Sequence, residues 1–354
     1  MLRLEARATA SPAMRYVSPL IAIVLTLVTG AALFALLGKD PGEGLRLFLL
    51  NPLKDLYGIS ELLLKATPLM LCALGLAIGF RANVWNIGAE GQFLLGAVGA
   101  SGVALYFQDS DSALVLPAMV LAGGAAGAGW AAIPAWLRTR YEASEILVSL
   151  MLVYIAQLFV SWLVFGPWKD PQGFNFPQSA MFGDHALLPP LIEGTRLHVG
   201  LLFALGALVA GHVLMNRSYL GFRLQVAGEA PAAARYAGFS RARAVWIGLL
   251  AGGATAGLAG MGEVAGPLGQ LTDKVGSGYG FAAIIVAFVG RLHAVGIALA
   301  SLLMALLYIG GEQVQQYMNL PNSIALVFQG LLLFFLLGAD VLIHYRLRLG
   351  RRTG

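Results

Sequence analysis

Charge is scarce in this sequence. Asp, Glu, Lys and Arg make up 12% of it, against 58% hydrophobic residues. A soluble domain needs roughly a quarter of its residues charged to cover its surface. With a mean hydropathy of +0.76, this deficit excludes a water-soluble chain and leaves an outer surface that faces lipid. Cysteine is nearly absent. Cys72 stands alone, so no intramolecular disulfide can form and no cysteine metal site exists. It reads as a small buried hydrophobe. The five histidines, His185, His198, His212, His293 and His344, are scattered without ligand spacing, so no metal site is expected. There is no Gly-x-x-x-x-Gly-Lys-Ser/Thr phosphate loop, and no paired carboxylates or Ser–His constellation. An enzyme is therefore not expected, nor a cofactor bound by this chain.

What is present is a series of apolar runs of about the 20 residues a bilayer crossing needs. They fall at 17–38, 61–80, 87–107, 112–137, 146–166, 197–215, 244–264, 279–290, 294–311 and 322–343. The first is too long for a signal peptide and lacks a clear cleavage site. The eighth is short, which suggests a broken or tilted segment. The reading is an all-α polytopic transmembrane bundle of about ten spans, a single transmembrane domain over 1–354. Alternate loops then collect 16 of the 23 basic residues on one side, all of them arginine, and 7 on the other, including all five lysines. Positive loops stay in the cytoplasm, so both termini are expected there. The same asymmetry accounts for the basic composition without a nucleic-acid partner.

Two loops stand out. Residues 166–196 form a long outer loop rich in Pro, Gly and aromatics, either a lid or docking surface or a plain ordered connection. Residues 216–243 form the longest inner loop. Within it Pro231 suits the first position of a helix, Ala232 to Ala234 favour helix, and Gly238 suits the left-handed residue that ends one. A helix of about two turns is expected on the cytoplasmic face. From the residues alone it is either held to anionic lipid by arginines or docks on a cytoplasmic partner.

Polar side chains cluster at another junction, Asn83-Val84-Trp85-Asn86-Ile87-Gly88-Ala89-Glu90-Gly91-Gln92. Polar groups at membrane depth usually face a cavity or a partner, and irregular backbone there is tolerated only inside protein or beside water. The segment lines a path, braces two spans, or is an interfacial turn. Tyr154 and Gln157 on the fifth run, Glu263, Gln329, Trp162 and Phe288 are further polar or aromatic candidates. Glu90 and Glu263 read as the only acidic residues in or beside spans that could serve ion coupling. Gly123 and Gly127, and Gly253 and Gly257 with Ala256 and Gly260 beside them, have the small-x-x-x-small spacing of close helix crossings.

The Asn-x-x-Asn-Ile-Gly-Ala-Glu-Gly-Gln run, the Gly-Glu-x-Pro-x-Ala-Ala-x-x-x-Gly loop and the span count together resemble permease subunits of ABC importers. The similar group is the branched-chain amino acid, simple sugar and nucleoside permeases, with the nucleoside-type branch nearest. The resemblance runs from about residue 68 to 342. It implies a multi-pass protein of a bacterial cytoplasmic (inner) membrane that imports a small polar solute, a nucleoside first, a sugar or branched-chain amino acid otherwise. It implies three partners besides membrane lipid: a cytoplasmic ATPase that uses ATP and Mg, a second permease chain, identical or related, and an extracytoplasmic solute-binding lipoprotein. The ATPase-coupling residues would be Gly228, Glu229, Pro231, Ala233, Ala234, Arg235 and Gly238. The solute-path candidates are Asn83, Trp85, Asn86, Glu90, Gln92, Tyr154, Gln157 and Phe288. An ion-driven secondary transporter is the competing reading, weakened because Glu90 and Glu263 lie toward span ends.

Overall fold

Apolar runs interrupted by short Pro, Gly and Ser turns become helices joined by brief connections. The computed structural model describes residues 2–7, 11–321 and 323–349. Arg351 and Arg352, counted with the arginine-rich side, lie outside the described residues, as does residue 322 where the last run was expected to begin. The chain runs through β1 (Leu2–Ala6), α1 (Pro12–Leu36), α2 (Pro41–Leu45), α3 (Leu56–Arg81), α4 (Ala89–Tyr106), α5 (Val115–Tyr141), α6 (Glu145–Phe165), α7 (Gly200–Arg217), α8 (Tyr219–Glu229), α9 (Pro231–Tyr236), α10 (Arg241–Glu263), α11 (Tyr279–Val289), α12 (Ala294–Met318), α13 (Ser323–His344) and β2 (Tyr345–Leu349). The fold is helical apart from one antiparallel ladder, in which Leu2 pairs with Leu349 and Ala6 with Tyr345.

Each expected run contains a helix, but the helices are not equivalent. Among the described residues, α1, α3, α5, α6, α7, α10, α12 and α13 are the eight long and apolar enough to cross a membrane. Two differ. α4 opens on Glu90 and Gln92, and α11 has only 11 residues.

The chain divides into two compact units, 1–59 with 306–354, and 60–305. In the first, α1 packs on α13. Gly30 leaves room for the Phe328 ring, which stacks on Phe48 with centroids 4.3 Å apart and tilts against Phe34 at 5.9 Å. The Ser18 hydroxyl donates to Asp340 Oδ1 at 2.8 Å. Asp340 lies inside α13, so Glu90 and Glu263 are not the only acidic side chains within spans. The sequence reading missed a third.

In the second unit, α4 lies against α5, α6 and α10, and backbone contact replaces side-chain contact at the crossing of α5 and α10. A Cβ on Gly257 would overlap the Gly123 carbonyl and lie 3.0 Å from Gly127 Cα. A Cβ on Gly96 of α4 would likewise overlap Gly257. The spaced glycines thus form one three-helix contact. The connection 166–199 is ordered but carries only a short 3-10 turn, Asp184–Ala186. It is pinned to the segment after α10: the amides of Ser179, Phe182 and Leu188 donate to the carbonyls of Leu271, Gly269 and Ala265 at 2.7–2.8 Å.

Candidate functional site

The polar junction folds as an extended strap between α3 and α4. α3 stops because the Gly79 carbonyl takes the amides of both Ala82 and Val84, at 2.9 and 3.0 Å. Asn83 adopts a left-handed conformation with φ of 55°, which asparagine tolerates better than most residues. Its Oδ1 accepts the Trp85 indole N–H at 2.9 Å. From there the chain alternates like a strand, with Ala82, Val84, Asn86 and Gly88 buried while Asn83 and Trp85 stay exposed.

The strap is held inside protein, as irregular backbone at membrane depth must be. The Ile87 amide donates to the Ser149 hydroxyl of α6 at 3.2 Å. A Cβ on Gly88 would fall 2.8 Å from Ser149 Cβ, and one on Gly91 3.0 Å from Val153 Cα. Asn86 and Gln92 close an amide pair: Asn86 Nδ2 donates to Gln92 Oε1 at 2.8 Å, and Gln92 Nε2 to Asn86 Oδ1 at 3.0 Å. Asn86 Oδ1 also takes the Gly88 amide at 3.0 Å. Both side chains are 1% exposed.

Glu90 is equally buried and reaches α11. Its carboxylate accepts the Gly278 amide at 3.0 Å and the Gly280 amide at 2.6 Å, the first turn of that helix. Charge here favours the helix N-terminus. Along α11, Phe288 stacks with Phe80 and Trp85, centroids 5.2 and 5.9 Å away. Beyond its end, Arg81 donates to the Leu292 carbonyl at 3.2 Å, and to Met215 O and Asn216 Oδ1 at 3.2 and 3.1 Å. The structure therefore brings Asn83, Trp85, Asn86, Glu90, Gln92 and Phe288 together.

Tyr154 and Gln157 are elsewhere. They sit on the exposed face of α6, with Trp162 (Tyr154 55% and Trp162 60% exposed), opposite the Ser149 and Val153 face that carries the strap. Glu263 lines an apolar cavity of about 260 Å³ with Thr67, His198, Phe203 and Met261. Gln329 is buried in α13 of the other unit.

The arginine-bearing ends of α3, α5, α7 and α10 share one end of the second unit. Arg81 joins α3 to α7 as above, and the Trp246 indole donates to Thr139 Oγ1 at 3.2 Å. There the 216–243 segment forms two helices, not one. α8 was not anticipated; it is capped by Ser218, whose hydroxyl accepts the Gly221 amide at 3.0 Å. α9 starts at Pro231, and Gly238 follows with φ of 77°. Pro231, Ala233 and Arg235 are exposed while Ala234 is buried. Glu229 is exposed and accepts from Gln225 at 2.9 Å. Tyr236, which the sequence reading passed over, is 97% exposed at the end of α9. Gly228 lies against the strap: a Cβ there would overlap the Arg81 carbonyl and lie 3.0 Å from the Asn83 nitrogen.

With this geometry in place, comparison with known proteins is informative. Residues 58–337 match the family model for the permease component of branched-chain amino acid transport systems. The glucose ABC transporter permease protein TsgB13 of Haloferax volcanii is 38% identical, covering 98% of this chain and 93% of that protein. The guanosine ABC transporter permease protein NupP of Bacillus subtilis is 32% identical, covering 90% and 91%. The nucleoside ABC transporter permease protein NupB of Lactococcus lactis is 29% identical, covering 90% and 89%. Among solved structures, PsaBC from Streptococcus pneumoniae in complex with Fab aligns with a TM-score of 0.43 at 12% identity, over 80% of this chain and 91% of that one, too slight a likeness to carry an argument. A multi-pass helical chain matched over most of its length in this way belongs to the permease component family of branched-chain amino acid type transport systems.

Proposed function

We propose that this chain is the membrane-spanning subunit of an ABC importer that takes a nucleoside across the cytoplasmic membrane. The observation that carries the importer reading is α9, a short capped helix standing exposed at the arginine-rich end of the bundle, in a chain whose family is that of permease components. Gly228, Glu229, Pro231, Ala233, Ala234, Arg235 and Gly238, with Tyr236, are the contact for a cytoplasmic ATPase. That subunit binds ATP and Mg; this chain needs no cofactor of its own and is not itself an enzyme. A second permease chain completes the path, and an extracytoplasmic solute-binding lipoprotein docks on the 166–196 connection, where Phe174 and Phe176 are exposed.

Ten crossings, with α4 and α11 as buried partial ones, put both termini in the cytoplasm. The pairing of β1 with β2 supports this, since it brings the two ends of the chain to one side. The family match crosses both compact units, which supports a single permease domain. Tyr154 and Gln157, on an exposed face, are the solute-path candidates that remain available. Trp85 and Asn83 border them in function as the exposed residues of the strap. The ion-coupled alternative is disfavoured because Glu90 spends both carboxylate oxygens on backbone amides.

Guanosine and nucleoside permeases among the relatives support a nucleoside. The 38% identity to a glucose permease favours a sugar as the second reading. Both solutes present hydroxyls, but only a nucleoside presents a flat base for aromatic stacking. The test is ATPase activity of the complex in proteoliposomes with its binding protein. Stimulation by guanosine or uridine is expected. Stimulation by glucose alone would overturn the nucleoside assignment, and absence of a co-purifying ATPase would overturn the importer.

A further inference from the structure

At about 1.5 Å per residue, the 11 residues of α11 span roughly 16 Å, half of the ~30 Å hydrocarbon core. Its first amides therefore begin inside protein at depth, without a preceding helical turn to satisfy them. Seven extended residues of the strap reach about 23 Å, enough to run the length of α11. The strap does so, touching α11 at both ends and at its side.

We infer that residues 79–90 form a clamp on α11, in which Glu90 and Arg81 are positioning residues and not solute ligands. Glu90 holds the two amides of the first turn. Arg81 holds the carbonyl just past the last turn. Phe80 and Trp85 hold Phe288 between them. Glu90 has no free oxygen lone pair aimed at solvent, being 1% exposed with both oxygens engaged. A clamp of this kind lets a partial helix stay ordered where a free N-terminus would be costly.

The clamp is also continuous with the cytoplasmic end. Gly228, at the end of α8, abuts the backbone of Arg81 to Asn83 with no room for a methyl group. Any displacement of α8 must therefore displace the strap or break this contact. This second step rests on the proposal that α9 meets an ATPase; the clamp itself does not. Through it, ATPase closure would reach α11 without passing through the solute.

The test uses the complete transporter in proteoliposomes, with the buried Cys72 replaced by Ala and Phe281→Cys as reporter. Phe281 is 37% exposed on the first turn of α11, and maleimide labelling reads its accessibility. Glu90→Gln removes one of two charge-assisted acceptors and should raise the labelling rate on the order of tenfold. Solute uptake should lose maximal rate with KM unchanged. Trp85→Leu, a milder variant, should raise labelling by a smaller factor, which keeps the clamp testable if Glu90→Gln fails to assemble. Unchanged labelling in both variants would refute the clamp. A shifted KM with unchanged labelling in Glu90→Gln would make Glu90 a solute ligand instead. In the parent, ATP with Mg should alter labelling, and Gly228→Ala should abolish that response. A response that survives Gly228→Ala overturns the link to α8. A parent without ATP-driven uptake overturns the importer reading separately, because the labelling comparison of Glu90→Gln needs no transport.

Discussion

Gly257→Ala is the sharpest test of how the second unit holds together. The added methyl would overlap the Gly123 carbonyl and sit 3.0 Å from Gly127 Cα, whereas carbon atoms rest at about 3.5–4.0 Å. Both obstacles are backbone, so no side chain can rotate away. α5 and α10 must separate, and α4 loses its seat as well, because Gly96 rests on the same residue. Overpacking of this sort costs about 1–3 kcal/mol. At about 2–4 °C per kcal/mol for a chain of a few hundred residues, Tm should fall by roughly 2–12 °C. The assay is the fraction of protein that stays monodisperse after heating in one detergent. Gly129→Ala is the control, since nothing lies within 4 Å of its Cβ position and Ala is about 1 kcal/mol the better helix former. A Gly257→Ala protein within about 1 °C of the parent would refute the backbone-contact account.

Three further outcomes are expected. Removing the Asn86 amide with Asn86→Leu should destabilise the protein by about 1–3 kcal/mol through the stranded Gln92, and adding Gln92→Leu should recover part of that loss; strict additivity in thermal denaturation would deny the pair. Asp340→Ala should cost about 1.5–3 kcal/mol by breaking the charged bond from Ser18, while Asp340→Asn, which keeps an acceptor, should cost less; equal Tm losses would show the bond is unimportant. Tyr236→Ala and Arg235→Glu should each cut ATPase co-purification at least tenfold, as exposed aromatic and arginine anchors do when truncated, with the permease still monodisperse; full recovery of ATPase in both would remove α9 from the contact.

Much of the fold was legible because the signals were local. Pro231 and Gly238 mark the ends of α9, and the glycine spacing on α5 and α10 announces their crossing. α8 was lost because Gly221 and Arg223 read as loop, while its cap, Ser218, acts over only three residues. Distant pairing was the harder part. Asp340 escaped notice because Ser18, its partner, is 322 positions away. The tie of Glu90 to Gly278 and Gly280 spans 188 and 190 positions. Hydropathy gave the length of α11 but not its depth, and it marked Asn86, Glu90 and Gln92 as polar without showing that each would be occupied by protein.

That long separation bears on how the chain is made. When Glu90 leaves the ribosome, the amides it will hold are 188 residues from being synthesised. At about 5–20 residues per second the wait is roughly 10–40 s. During it α4 carries a carboxylate and an amide that disfavour entry into lipid, and its seat on α10 does not yet exist. Insertion therefore cannot proceed strictly helix by helix: the nascent α4 is held at the translocon or among its early neighbours until the chain beyond residue 280 arrives, and chains cut short of that point are left as substrates for membrane quality control.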